Sequence, residues 1–308
     1  MKKTIHANGK LLLSSEYFVL DGAKALALPC VFGQNLDINS IENDAQNISW
    51  KSFDLEEKCW FECSFDLKNK QISQTSDVAV SDNLVQIFEV LQALNPVFFE
   101  KKDSFEFETM LEFPRNWGLG SSSTLIYALA KWANVDAYQL LEKTMGGSGY
   151  DIACAGVNHP ILFEKTAHQI YVEKVDFQPA FAEQLYFVFL GKKQNSREGI
   201  ARYRARIDKN HVAINYFTQL TNDFLTAKNS KDFEKTILEH EQLIAQLLDL
   251  PRAKDLYFPD YQGEIKSLGA WGGDFVLATS EMSDTETKSY FKNKGFETVL
   301  KYNEMVIF

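Results

Sequence analysis

The chain has 308 residues, 45% hydrophobic, 13% aromatic and 24% charged, which fits a folded globular protein and argues against disorder. Its 32 Lys and Arg against 42 Asp and Glu give a net charge of −10, which excludes a broad positive face for nucleic acid or anionic membrane, so any anion must be held locally. The length exceeds that of most single domains, and a change from a strand-and-helix half to a helix-rich half predicts two, 1–180 and 181–308.

The N-terminal stretch "MKKTIHANGKLLLSSEYFVLDG" joins two lysines to a short apolar run that Glu16 and Asp21 interrupt, so no secretory leader is expected. Within 9–40, "KLLLS", "YFVL" and "ALALP" read as strands, with Asp21-Gly22 as a hairpin turn and Pro29 as a stop. Residues 48–74 alternate aromatic and polar groups, as half-buried antiparallel strands do. The "CWFEC" within them lacks the second ligand pair that a zinc site needs, and Cys30, Cys59, Cys63 and Cys154 are too scattered for a disulfide framework. They read as free, mostly buried thiols of a cytoplasmic protein. "SDNLVQIFEVLQALN" at 81–95 opens on Ser81 and Asp82 as caps and lines Leu84, Ile87, Phe88, Leu91 and Leu94 along one helical face. "SFEFETMLEF" then alternates again.

After "PRNWGLG", the runs "SSSTLIYALAKWA" and "DAYQLLEKTM" predict two helices, and "GGSGYDIACAGV" is a glycine-rich turn into a third. Residues 160–190 return to strands and 195–249 read as helical. The stretch 264–308 reads as helix, glycine loop, strand "DFVLATS", helix and a last strand. No apolar run reaches about 18 residues, so no membrane span is expected.

Three glycine clusters stand out. In "GLGSSS", Gly118 and Gly120 let backbone N–H groups approach a ligand, and Ser121, Ser122 and Ser123 fall at a helix start, where unpaired N–H donors and the helix dipole attract phosphate. Serine caps and glycine turns explain the same residues without a ligand. The stretch matches neither the P-loop nor the dinucleotide fingerprint, and no G-x-S-x-G elbow is present. "GGSGYDIACAG" sets one carboxylate, Asp151, among small residues, where it could equally cap a helix. "SLGAWGGDFVL" is a glycine loop feeding a strand.

Together these clusters resemble the GHMP small-molecule kinases, named for galactose, homoserine, mevalonate and phosphomevalonate. "GKLLLSSEYFVLDGAKALALP" (9–29) resembles the family's first motif, "PRNWGLGSSST" (114–124) its ATP-phosphate loop, "GSGYDIA" (147–153) the segment with the catalytic aspartate, and "GAWGGD" (269–274) its third motif. The four fall in family order over nearly the whole chain. The Glu16-Tyr17 pair, the aromatic before Asp151 and Asp274 after Gly-Gly are most similar to the mevalonate-pathway kinases, phosphomevalonate kinase ahead of mevalonate kinase. The family commonly has Gly at Ser15, Ala at Ser123 and Gly at Trp271; a tryptophan there would narrow the site or stack on a ligand.

The resemblance implies an α+β fold, with an N-terminal domain like the ribosomal S5 second domain and a C-terminal ferredoxin-like domain. It implies ATP and Mg²⁺ as cofactors. The ATP phosphates would lie on Gly118, Leu119, Gly120, Ser121, Ser122 and Ser123, and the metal on Ser122 and Glu142. Lys10 would neutralise phosphate charge and Asp151 would accept the acceptor's proton. Glu16, Tyr17, Ser148, Gly272 and Gly273 would bind substrate. "GKKQNSREGIARYRAR" (191–206) supplies six basic residues against one acidic, and Ser196 and Arg197 at its helix start would hold a substrate phosphate, although a basic solvated helix face explains the same run.

The expected partner is a small-molecule substrate, with no nucleic acid and no membrane, the protein being a monomer or homodimer. Mevalonate kinase, a non-catalytic nucleotide-binding protein of the same fold, and a sugar or homoserine kinase are the alternatives. Lys10, the serine loop and Asp151 argue for catalysis.

Overall fold

The computed structural model describes all residues except 1, 43–44, 101–102, 193–195, 207–210, 270 and 272, and omits the side chains of 196, 197, 211 and 212. The chain forms two compact units. One comprises Met1–Gly9, Phe32–Arg115 and Gly120–Gly156, the other Lys10–Val31, Asn116–Leu119 and Val157–Phe308.

Strands β1 (Lys2–Leu12) and β2 (Ala25–Glu42) contribute to both units. In the first unit, β3 (Asn47–Phe53), β4 (Cys59–Asp66), β5 (Ile72–Thr75) and β6 (Asp103–Leu111) join β2 in the order β5-β4-β3-β6-β2, with β3 and β6 parallel. The alternating burial of β3 puts Ile48, Trp50 and Ser52 inward, as its sequence predicts. Helices α1 (Val78–Leu94), α2 (Ser121–Ala133), α3 (Ala137–Thr144) and α4 (Tyr150–Ala155) complete the unit. Leu84, Ile87, Phe88 and Leu91 of α1 enter the core as expected. There Trp132 of α2 meets Phe88, Phe105 and Phe107 edge-on, at 4.9–6.0 Å between ring centres.

In the second unit the start of β2 pairs with β7 (Ile161–Lys165), and β7 with β8 (Ile170–Lys174). A separate antiparallel sheet, in the order β10-β11-β9-β12, is built from β9 (Leu185–Phe189), β10 (Ile265–Ser267), β11 (Phe275–Thr279) and β12 (Val299–Lys301). The helices are α5 (Ser196–Arg206), α6 (His211–Thr226), α7 (Ser230–Leu248), α8 (Ala253–Tyr257), α9 (Asp284–Asn293) and α10 (Tyr302–Met305). Among the described residues, no helix is long and apolar enough to cross a membrane.

Several elements depart from the sequence reading. "YFVL" is no strand: Phe18–Asp21 form a 3₁₀ turn closed by Gly22 at φ +98°, so Asp21-Gly22 caps a turn instead of joining a hairpin. Pro29 does not stop β2, which runs through it to Glu42 and pairs with β7 at residues 25–27 and with β6 at 34–42. Helix α1 starts earlier than expected, because Asp77, whose carboxylate accepts from Val80 N–H at 3.1 Å, caps it in place of Ser81 or Asp82. The segment read as a helix from 264 begins instead with strand β10, all three of whose residues are buried. The cysteines are free; Cys59 is exposed and the other three are buried.

Candidate active site

The loop 116–119 is fixed within the second unit. Trp117 packs edge-on against Phe275 of β11 at 5.3 Å and lies near Phe189 of β9. The next residue, Gly118, has φ +70°, and a Cβ built on it would overlap the carboxylate of Asp274. Only glycine satisfies both the left-handed backbone and that close approach. Lys10 closes the same loop from β1: its Nζ donates to the Gly118 carbonyl at 2.8 Å and its backbone N–H to the Leu119 carbonyl at 3.0 Å. Lys10, Gly118, Leu119 and Asp274 are therefore brought together. Asp274 is itself left-handed, at φ +53°, and its N–H donates to the Lys192 carbonyl at 2.6 Å.

The loop continues into α2 of the first unit through Gly120, at φ +92°, which offers no side chain to cap the helix. The first-turn N–H groups of α2 thus have no side-chain cap, and no acidic residue occupies that turn. The three serines differ. Ser121 is half-buried and Ser122 exposed, whereas Ser123 is 4% exposed and donates its hydroxyl to the Gly120 carbonyl at 2.8 Å. The Ser123 hydroxyl serves the helix start, and Ser122 is the most exposed of the three. Thr124 locks the turn by donating to Gln34 Oε1 at 2.6 Å.

In the same unit α4 opens on Gly149, at φ +94°, with Ser148 buried before it. Asp151 is the second helical residue, half-buried, with Oδ1 3.0 Å from the N–H of Ile152. Helix α4 is held close to α2, since a Cβ on Gly156 would sit 2.6 Å from the Tyr127 hydroxyl. Glu142 is an exposed residue of α3.

Residues 10–29 of the first motif lie in the second unit. Ser15 and Tyr17 have φ +60° and +64°, so the glycine usual at Ser15 is replaced by a serine that keeps the left-handed backbone and anchors its hydroxyl on the Lys24 carbonyl at 2.7 Å. Glu16 between them is buried. Its Oε1 accepts from Lys266 Nζ at 2.5 Å and its Oε2 is 3.1 Å from His240 Nε2, while Ser15 N–H donates to that same ring nitrogen at 3.1 Å. Glu241 completes the group, 3.5 Å from Lys266 Nζ and accepting from the Ser267 hydroxyl at 3.1 Å. Burial works to raise the Glu16 carboxyl, but Lys266 and His240 outweigh it and hold the group below its usual range. Burial pushes Glu241 up to about 7, and burial, aided by Lys266, keeps His240 below the ordinary imidazole range. The carboxylate expected to bind substrate is thus committed to buried partners.

The Tyr17 hydroxyl accepts from the N–H of Trp271 at 3.1 Å, linking the first motif to the third loop. Trp271 is itself 6% exposed, packed with Tyr17, Phe18, Tyr203 and Phe217. Gly273 is buried, and Gly272 lies outside the described residues, as do the side chains of Ser196 and Arg197 at the start of α5. Farther along α5, Arg204 pairs with Asp21 at 2.5 Å and Arg206 with Asp249 at 3.2 Å, whereas Arg202 is exposed. Asp274, His240, Glu241 and Lys266 were not singled out as site residues from the sequence. The aspartate directly after Gly-Gly was a signal for the first; nothing local marks the other three.

In chemical terms, 116–123 is a run of backbone donors and small polar groups with a lysine tied to it, and Asp151 is a carboxylate at a helix start. Backbone donors at a helix start with a nearby cation have the chemistry to hold an anion such as a phosphate chain. Among the described residues no three His, Cys, Asp or Glu cluster as a metal cage, so a magnesium ion would take most ligands from phosphates and water, which is its usual habit.

No protein-family model and no curated protein sequence matches the chain. Solved structures do match it over their whole length. The mevalonate kinase of Methanococcus jannaschii is 17% identical, with a TM-score of 0.70, covering 100% of this chain and 99% of that one. The phosphomevalonate kinase of Streptococcus pneumoniae, in complex with phosphomevalonate and AMPPNP, is also 17% identical, with a TM-score of 0.70 and coverage of 97% and 99%. The galactokinase of Lactococcus lactis, complexed with galactose, is 13% identical, with a TM-score of 0.68 and coverage of 100% and 95%. The chain has the two-domain α+β fold that these GHMP kinases share.

Proposed function

We propose that this protein is an ATP-dependent small-molecule kinase of the GHMP type that passes the γ-phosphoryl group of ATP to a mevalonate-pathway acceptor, with phosphomevalonate favoured and the hydroxyl of mevalonate as the second reading. The observation that carries the kinase reading is the lysine-tied, uncapped loop that leads into α2: Lys10 on the Gly118 carbonyl, Gly118 against Asp274, and the free first turn at Ser121 and Ser122. Whole-chain likeness to kinases of both acceptors is compatible with either substrate.

Residues 1–180 and 181–308 are the proposed nucleotide-binding and C-terminal regions. In this reading the amides of Gly118, Leu119, Gly120, Ser121, Ser122 and Ser123 hold the phosphates, with Ser123 contributing backbone alone. Lys10 neutralises developing charge, which is most of what phosphoryl transfer asks of a protein. Ser122 and Glu142 are the proposed magnesium ligands; the ion would screen the phosphate oxygens. Asp151 accepts the proton of an acceptor hydroxyl, or orients a phosphate acceptor. Ser148, Tyr17 and Gly273, with Gly272, Ser196 and Arg197, are assigned to the acceptor. Glu16 supports that set from within the core. The expected protein is a cytoplasmic monomer or homodimer.

Calorimetric titration with MgATP tests the nucleotide half of the reading. One site per chain should saturate, and Ser122→Ala should weaken it more than Ser123→Ala, whose hydroxyl is already engaged with Gly120. No binding of any nucleoside triphosphate by the folded protein would overturn the proposal.

A further inference from the structure

Strand β2 carries a polar residue in an apolar row. Gln34, Leu36 and Ile38 alternate on its buried face, and Leu36 and Ile38 belong to the hydrophobic core of the first unit. Gln34 is 6% exposed, and a buried side-chain amide costs free energy unless its hydrogen bonds are made, so a leucine would suit the row better. The amide has a specific use. Its Oε1 accepts from the hydroxyl of Thr124 at 2.6 Å, and Thr124, 1% exposed, is the fourth residue of α2. The backbone on either side of Gln34 is held as well. Glu112, directly after β6, takes the Gly33 N–H on Oε2 at 2.9 Å and the Asn35 side-chain amide on Oε1 at 3.1 Å, and its own N–H donates to the Gly33 carbonyl at 3.0 Å. Gly33 has no room for a side chain, since a Cβ there would overlap the Ala7 carbonyl oxygen. Gln34 therefore reaches α2 from a fixed stretch of strand.

The helix start that it reaches lacks an ordinary cap. A capping side chain holds a helix start by taking N–H groups of the first turn. Gly120 cannot do this, and its carbonyl instead accepts from the helix, from the Ser123 hydroxyl at 2.8 Å and the Thr124 N–H at 3.0 Å. Gln34 holds the same turn through a hydroxyl and takes no backbone donor. The N–H groups of Ser121, Ser122 and Ser123 thus stay uncapped while the turn that carries them is tied to the sheet.

We propose that Gln34 is a positioning residue that stands in for the missing cap: through Thr124 it fixes the first turn of α2 against the sheet and keeps the amides of Ser121, Ser122 and Ser123 in place, and open, for a ligand anion. It touches no ligand itself. The ligand half of this proposal rests on the kinase reading, in which the anion is the phosphate chain of MgATP; the tether half does not. Losing the tether should free the first turn alone, because Ile126, Leu129, Ala130 and Ala133 anchor the later turns of α2 in the core.

Gln34→Leu in the full chain is the test. Leucine fits the row, and the Thr124 hydroxyl can turn its one proton to the Ser121 carbonyl, 2.9 Å away, so no buried polar group is stranded. Hydrogen exchange at the Thr124 amide should rise about fivefold, the worth of one neutral hydrogen bond, while Leu129, deeper in the same helix, stays within about twofold. Calorimetry should show MgATP binding weakened about fivefold. Thr124→Val should weaken it likewise, and the double variant should be no weaker than either single one, since both remove the same bond. Thr124→Ser keeps the hydroxyl and should bind as wild type does. Unchanged exchange at Thr124 in Gln34→Leu overturns the proposal. So does faster exchange with unchanged affinity in a protein that binds MgATP, as do losses that add in the double variant. If Gln34→Leu does not fold, Thr124→Val against Thr124→Ser decides, by exchange at the Leu125 amide and by calorimetry. A first turn loosened as predicted, in a protein whose wild type binds no nucleotide, would sink the kinase reading and leave the tether standing.

Discussion

Asp151→Asn should lower kcat on an alcohol acceptor by about 10²–10⁴-fold, the usual contribution of a positioned general base, while MgATP affinity stays within about twofold. The substitution keeps the shape of a half-buried residue whose Oδ1 accepts a neighbouring backbone N–H, so α4 should not unfold. A phosphorylated acceptor should suffer less. Its monoester phosphate has a second pKa of about 6, and is already an anionic nucleophile at neutral pH. Steady-state kinetics on mevalonate and phosphomevalonate, with the same variant, therefore read both the role of Asp151 and the acceptor. Equal losses on the two would contradict a base role and leave Asp151 as an orienting group.

Gly118→Val should weaken MgATP binding by about 10–100-fold, read by calorimetry, and lower the melting temperature. Two costs add. A branched side chain in the left-handed region costs about 1–3 kcal/mol, and the new Cβ must displace the Asp274 carboxylate, which it would overlap. Either adjustment moves the carbonyl that holds Lys10 Nζ at 2.8 Å. Gly118→Ala should fall between the two proteins. Unchanged nucleotide affinity in a folded Gly118→Val variant would mean that this loop does not cradle phosphate.

Helix α2 was legible to the residue because its run of small and apolar groups is continuous and nothing else competes for it. The strand pairs around 47–66 were legible for the same local reason. What failed were places where tertiary pairing overrode local chemistry: Pro29 inside β2, the 3₁₀ turn at Phe18–Asp21 and the short buried strand β10. The candidate loop was readable as an anion site only together with the other motifs. Its tie to Lys10 was not, since the two residues are 108 positions apart in sequence. Glu16 stood out as part of a motif, but its burial could not be read, because its partners His240 and Lys266 arrive from helix and strand segments more than 200 residues later. Trp271 looked like a group that could narrow the site or stack on a ligand; its side chain lies in the core with Tyr17 and Phe18, and its backbone N–H donates to the Tyr17 hydroxyl.

The most direct test is ADP release from MgATP measured against a panel of mevalonate, phosphomevalonate, homoserine and hexoses. The account predicts release that depends on a mevalonate-pathway acceptor, fastest with phosphomevalonate and lost in Asp151→Asn with mevalonate. Turnover confined to a sugar or to homoserine would contradict the acceptor class, and no acceptor-dependent turnover in a protein that binds MgATP would make it a nucleotide-binding protein without the proposed catalysis.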